Sequence, residues 1–213
     1  MQFLITAGPT REPIDSVRFL SNRSSGRMGL ALAQAATQAG HEVTLLLGPV
    51  GQDEAELRRQ LPGAHIFRFE SSAELKQLLD AHFRGCEVLI MAAAVADYRP
   101  RLVLEGKLPR DPSRPLTLEL EPTPDLVALL AGQRRPGQRI VAFALEEAEH
   151  LEDRALAKMR KKGVDAIVAN PLGTMEAKDI TPLLLYADGR RATPSRMSKE
   201  DFARWLVGRI SDL

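Results

Sequence analysis

The sequence predicts an α/β fold built on a mostly parallel, doubly wound sheet. Three observations carry that prediction. Short β-rich apolar runs alternate with amphipathic segments along most of the chain. The runs close on glycine, proline or small polar residues, which end strands and turn the chain. One run, CEVLIMAAA (86–94), is continuously apolar, as a strand covered on both faces should be. Strand–helix–strand units of this kind close through right-handed crossovers. The result is a Rossmann-like sheet in which ligands bind beyond the carboxyl ends of the strands.

The elements follow in order. QFLIT (2–6) is the first strand and ends in Ala-Gly-Pro-Thr. Met28, Leu32, Ala35, Ala36 and Ala39 recur at helical spacing, and Gly40 stops that helix. HEVTLLL (41–47) and AHIFRF (64–69) are the next strands. Ser71-Ser72-Ala73-Glu74 forms a capping box ahead of Leu75, Leu78, Leu79 and Phe83. From Tyr98 to Pro122 the pattern breaks into a proline-rich flap with two β-like runs, 101–105 and 116–121. Thr123-Pro124-Asp125 starts a helix with proline at its first position. RIVAFAL (139–145) and VDAIVAN (164–170) are strands on either side of a helix at about 147–162. That helix is acidic at its start and basic at its end, which complements its dipole. A weaker β region (181–193) and a helix from Ser198 complete a single domain, 1–213.

Composition narrows the class. The chain has 213 residues, 44% hydrophobic and 27% charged, with a net charge of +1. This balance calls for neither a nucleic-acid nor a membrane partner. Cys86 is the only cysteine, which excludes a disulfide framework and reads as a small core residue. MQFLITAG is too short and uncharged for a signal peptide, and no apolar run reaches the roughly 20 residues of a bilayer span. The expectation is a cytoplasmic protein. Its four histidines are scattered and no His/Cys spacing suits a metal, so no metal-binding residues are predicted.

The strand ends hold the candidate site residues. About 17 residues separate Gly8 from the first helix, a long connection for a compact α/β domain. No G-x-G-x-x-G fingerprint is present. Instead Ser24-Ser25-Gly26 can cap the helix and offer backbone N–H groups to an anion. Arg18, Asn22, Arg23 and Arg27 around the same turn favour a phosphate or carboxylate over a plain cap. At the second strand end, Ala93, Ala94 and Asp97 leave room for a flat ligand and offer a carboxylate to a ribose, or else simply pack and cap. On spacing alone Lys107 reads as a solvated lysine; Lys158 and Lys162 share a helical face and read either as a solvated last turn or as a pair of phosphate anchors. No Walker loop or nucleophile elbow occurs.

Three stretches carry a family resemblance: ITAGPTREPIDSVRFLSNRSSGRMG, AAAVADYRP and KMRKKGVDAIVAN. They resemble phosphopantothenoylcysteine synthetases (phosphopantothenate–cysteine ligases), the domain that often forms the C-terminal half of a bifunctional coenzyme A biosynthetic flavoprotein. The resemblance covers essentially the whole chain. It implies joining 4′-phosphopantothenate to L-cysteine through an acyl-nucleotide, with CTP or ATP and Mg²⁺. It also implies a homodimer, no FMN and a separately encoded decarboxylase. Asn22 matches the asparagine that binds the acyl-nucleotide, and Arg18 an arginine of the same half-reaction. Ala93, Ala94, Asp97 and Phe143 match residues around the nucleotide and acyl group, and Lys107 matches a flap lysine needed to form the acyl-nucleotide. Lys158 and Lys162 match nucleotide-contacting lysines; Gly8, Ser24, Ser25 and Gly26 complete the expected nucleotide set. Two departures stand out. The flap reads Lys107-Leu108-Pro109-Arg110 where relatives often have K-I-K-K, and Ala142-Phe143-Ala144-Leu145-Glu146-Glu147 replaces G-F-A-A-E-T. The resemblance outweighs two rivals. An NAD(P)-dependent oxidoreductase would want the missing glycine fingerprint, and an inactive nucleotide-binding module would not need Asn22 and Lys107.

Overall fold

Eight strands form the central sheet of the computed structural model, which describes residues 1–174, 177–210 and 213. In chain order they are β1 (Gln2–Ala7), β2 (Glu42–Leu47), β3 (His65–Arg68), β4 (Val88–Met91), β5 (Arg139–Glu146), β6 (Ala166–Pro171), β7 (Leu183–Tyr186) and β8 (Arg191–Ala192). Their spatial order is β8-β7-β6-β5-β4-β1-β2-β3. From β3 to β6 all neighbours are parallel, and β7 and β8 add an antiparallel edge. The predicted mostly parallel, doubly wound α/β sheet is therefore observed.

Alternation along the strands builds two cores. Phe3, Ile5, Val88 and Ile90 face one side, against Leu32 and Ala36 of helix α1 (Arg27–Gln38). Leu57 of α2 (Glu54–Gln60) belongs to the same core. Leu4, Leu89 and Met91 face the other side, against Leu75 and Leu79 of α3 (Ser72–His82). Leu126 and Leu130 of α4 (Leu126–Ala131) and Met159 of α5 (Leu151–Lys162) complete that side. Helix α6 (Lys199–Val207) returns Phe202 and Leu206 to the first core beside α1. Period-two alternation puts successive residues on opposite faces, so a sheet buried on both sides needs every position apolar. Among the described residues no helix is long and apolar enough to cross a membrane.

Several local expectations are corrected. CEVLIMAAA stays a strand only over Val88–Met91, because Ala92 to Ala94 leave the sheet to line a cleft. The flap's paired strands are Tyr98–Pro100 and Leu120–Pro122, at its root, so the 101–105 run is not a strand and the 116–121 run enters the ladder only through Leu120 and Glu121. Leu104 N donates instead to Ile14 O, and Pro109, Pro112 and Pro115 keep the tip out of a ladder. Asp125, in extended backbone and accepting from Ala128 N, is the cap of α4, which leaves Pro124 outside the helix. Glu74 satisfies the amide of Glu70 at 2.6 Å, while Ser71 accepts from Glu74 N. Helix α1 is capped by Gly26 at φ 74° with no side-chain cap, so Ser24 and Ser25 do not cap it. Helix α2 carries too few apolar residues to announce itself in the sequence.

The long connection after β1 is not loose. Arg11–Pro13 pairs antiparallel with Phe19–Ser21 to make a short arm. Buried Glu12 on this arm accepts from Ser72 N and Oγ, tying it to the start of α3.

Candidate active site

Sheet order reverses direction between β1 and β4, the switch point beside which ligands bind in such sheets. Beyond their carboxyl ends the two segments stay together through backbone bonds, with Pro9 and Ala94 in a parallel bridge. Ala94 N donates to Gly8 O at 2.9 Å and Thr10 N to Ala94 O at 3.1 Å. Two buried threonine hydroxyls extend the clasp, Thr6 Oγ1 accepting from Ala93 N and Thr10 Oγ1 from Ala96 N, each at 3.0 Å. Gly8 sits at φ 85°, and a Cβ there would come within 3.2 Å of Gly48 Cα. Only glycine meets both conditions without strain.

Asn22 docks onto this clasp. Its Nδ2 donates to Ala94 O at 2.6 Å, and its Oδ1 accepts from Ser24 N at 3.1 Å. Ser24 Oγ in turn accepts from Gly26 N at 3.4 Å. Helix α1 starts there with free first-turn N–H groups. It approaches β1 closely because Gly29 has no side chain; a Cβ would lie 2.4 Å from Ala7 Cβ. Asn22, Ala94, Ser24 and Gly26 are thus brought together. Ser25, Arg23 and Arg27 are exposed beside them.

A cleft of about 200 Å³ opens from this point, lined by Ser24, Ala93, Ala94, Phe143 and Leu145 among others. Small alanines on one wall and the Phe143 ring on another make a slot for a planar group. Two lining residues were not signalled by the sequence. Asn170, at the end of β6, is 7% exposed, and its Oδ1 has no hydrogen-bond partner. Such an orphaned acceptor is uncommon in a buried position and suits a ligand donor. Lys199 begins α6 and is buried at the cleft wall. Burial, with Arg27 nearby, pushes its ammonium below the usual lysine range. Asn170 closes the stretch KMRKKGVDAIVAN but takes no role from it, and the sequence does not single out Lys199; the packing of β6 and α6 brings both to the cleft.

A second cleft, about 810 Å³, lies between the arm and the flap and is lined by Arg18, Lys107, Arg110, Asp111 and Arg114. Arg18 and Lys107 are together, but apart from the Phe143 slot. Among the described residues no three His, Cys, Asp or Glu side chains converge as a metal cage.

The model of the family described as "DNA/pantothenate metabolism flavoprotein C-terminal domain" matches residues 1–213. The chain belongs to this family. A Mycobacterium bovis "Coenzyme A biosynthesis bifunctional protein CoaBC" is 37% identical over 98% of this chain and 51% of its own length. A prokaryotic protein named "Cysteine/Cysteine sulfinic acid decarboxylase" is 44% identical over 79% of this chain and 45% of its own. The chain spans about half the length of the curated relatives it matches. The crystal structure of the C-terminal domain of a CoaBC protein superposes with a TM-score of 0.82 at 33% identity, covering 99% of this chain and 94% of that one.

The remaining family positions are occupied differently from a single converged site. Lys158 Nζ lies 2.5 Å from Oε1 of Glu146, a buried carboxylate at the end of β5. Lys162 Nζ donates to both oxygens of Asp125, at 2.7 and 2.6 Å. Burial opposes ionisation of Asp125, but Lys162 and the Ala128 amide outweigh it and hold the carboxyl below its usual range. Both lysines are therefore paired on α5. Asp97 is exposed at the flap root, where its carbonyl accepts from Thr123 N at 2.9 Å.

Proposed function

We propose that this chain, as a single domain, ligates 4′-phosphopantothenate to L-cysteine in coenzyme A biosynthesis. A family match over the whole chain, with the family asparagine Asn22 seated on Ala94 O beside an aromatic slot, carries this reading. In the first step a carboxylate oxygen of phosphopantothenate attacks the α-phosphorus of a nucleoside triphosphate, CTP or ATP. The Pα–O bond to the β-phosphate breaks, and pyrophosphate leaves. In the second step the cysteine amine attacks the acyl carbon. The acyl–oxygen bond breaks, the nucleoside monophosphate leaves, and the amine loses a proton. No electrons change hands, so the reaction requires no FMN. The decarboxylase name of one relative is not carried over, because this chain matches under half of that protein.

Each group has a task in this scheme. The slot at Phe143 and Leu145 takes the base, with the Asn170 Oδ1 accepting from an exocyclic amine, a group that cytosine and adenine share. Asp97 is within the same strand-end segment for the ribose. The start of α1, with Ser24, Ser25 and Gly26, receives phosphate oxygens. Lys107 and Arg18 neutralise charge as pyrophosphate departs. Asn22 has an amide N–H for the acyl oxygen as it gains charge in the second step. Lys158 and Lys162 exchange their carboxylate partners for nucleotide phosphates. Mg²⁺ enters with the triphosphate, which supplies the oxygen ligands this ion prefers.

The family resemblance implies a homodimer. Val17 and Phe19 on the arm and Tyr98, Leu102 and Leu120 at the flap are exposed apolar side chains available to such an interface. Light scattering on the purified chain measures the assembly.

The decisive experiment mixes the protein with 4′-phosphopantothenate, cysteine and Mg²⁺, and adds CTP or ATP in parallel. Pyrophosphate and the cysteine adduct are both measured. Absence of the adduct with either nucleotide rejects the ligase reading.

A further inference from the structure

The flap and the arm meet around one buried side chain. Asp15, at the arm's turn, has its carboxylate fully buried. Its Oδ1 accepts from Val17 N at 2.8 Å and Arg18 N at 2.7 Å. Its Oδ2 accepts from Arg18 Nε at 3.0 Å, from Arg18 Nη2, and from Leu108 N at 2.9 Å. Arg18 Nη2 also donates to Leu108 O at 2.8 Å. Around this knot, Leu104 N donates to Ile14 O, Ser16 N to Gly106 O, and Gly106 N to Ser16 Oγ, each at 3.1 Å. The residues on both sides of Lys107 are therefore fastened to the arm, although most of the flap is exposed.

A carboxylate only accepts, with about four lone-pair sites. Asp15 offers them all to N–H donors on two segments far apart in sequence. The Arg18 bonds leave both N–H groups of Nη1 unused among its five. The guanidinium is oriented without being exhausted.

We propose that Asp15 is a positioning residue, a latch that orders the flap and the arm as one unit and so places Lys107 and Arg18 against the same substrate. The proposal rests on the ligase reading for what the two cations do, and on geometry alone for the latch. Asparagine at position 15 has nearly the same shape. Its NH₂ must nonetheless meet N–H donors on one side, turning attraction into donor–donor contact.

Hydrogen–deuterium exchange on the whole protein tests the latch without any turnover. Asp15→Asn is expected to speed exchange about tenfold or more in peptides spanning 14–19 and 104–110 together, the loss of a charge-assisted bond, with peptides of β1 and β4 unchanged. Arg18→Ala is expected to speed exchange at 104–110 as well, and the double variant to be no faster than Asp15→Asn. In the ligase assay Asp15→Asn should lower kcat about 100-fold, the effect of small misplacement of reacting groups, with a smaller change in KM. If the Asp15 variant does not fold, the Arg18→Ala exchange result decides. Exchange at 104–110 that is the same in the variants as in the wild type overturns the latch. A wild type with no ligase activity but with the coupled exchange rejects the ligase reading and leaves the latch standing.

Discussion

The two clefts are held by different physics. At the β1/β4 switch point the wall that carries Ala93 and Ala94 is clasped to Gly8 and Thr10 and bonded by Asn22. Main-chain bonds and two buried threonines fix that wall. At the flap, most wall residues are charged or proline side chains, and the buried Asp15 carboxylate joins the two segments together with a few bonds around it. The difference separates tasks. Under the proposed ligation, the first cleft takes the flat base and the acyl group and the flap cleft the phosphates.

Predictions that break this contrast start with the largest. Lys107→Ala removes a flap cation and leaves the sheet untouched. Pyrophosphate release should fall by about 100-fold to 1,000-fold, the scale for losing one group that stabilises developing charge, while the unfolding midpoint stays put. Asn22→Ala acts on the rigid side. It should still release pyrophosphate but form the cysteine adduct about 100-fold more slowly, as single-turnover kinetics would show. Loss of the first step in Asn22→Ala with its retention in Lys107→Ala would reverse the two roles. Gly29→Ala drives a methyl group toward Ala7 Cβ and Thr6 O, both within 2.8 Å. Overpacking at the base of the rigid cleft should cost about 1–3 kcal/mol, read from urea unfolding.

Two smaller effects sharpen the contrast. Arg18 and the Leu108 amide hold the Asp15 carboxyl well below the usual carboxylate range. A lowered value in the folded chain stabilises it above the unfolded pKa of about 3.9, and that contribution fades as pH falls below it. The stability advantage of wild type over Asp15→Asn should thus be full at pH 6 and reduced at about pH 3, as paired unfolding curves would report. Lys162→Ala removes a partly exposed pair with Asp125. It should cost about 0.5 kcal/mol or less in stability, and should raise KM for the nucleotide without touching the flap. An unchanged KM would remove Lys162 from the nucleotide site.

Legibility in the sequence followed the range of the interactions. Strands β1, β2, β5 and β6 and helices α1, α3 and α5 were readable, because each carries its own periodicity and stop signals. Helix α2 was missed, since it buries only Leu57. The flap reads as irregular, but its pairing is misplaced, because Leu104 bonds to Ile14, a partner distant in the chain, and not across the flap. At the site, RFLSNRSSGRMG announced its polar density, and the resemblance added roles. Asp15 and Asn170 lie inside the resembling stretches, yet the sequence assigns no role to them or to Lys199. The stretches mark where the site is, while each side chain's task depends on partners distant in the chain.

The sequence by itself determined the parallel α/β sheet, the long polar connection after the first strand and the family to which the chain belongs. These rest on local pattern and on motifs that are contiguous in the chain. Only the tertiary structure decided that Gly26, and not a serine, caps α1, and that Lys158 and Lys162 are held by carboxylates. It alone divided the candidate residues between two clefts and joined arm to flap at Asp15. Those outcomes depend on which donors and acceptors meet after the strands have crossed over, and a buried polar group takes its role from the partner it finds there.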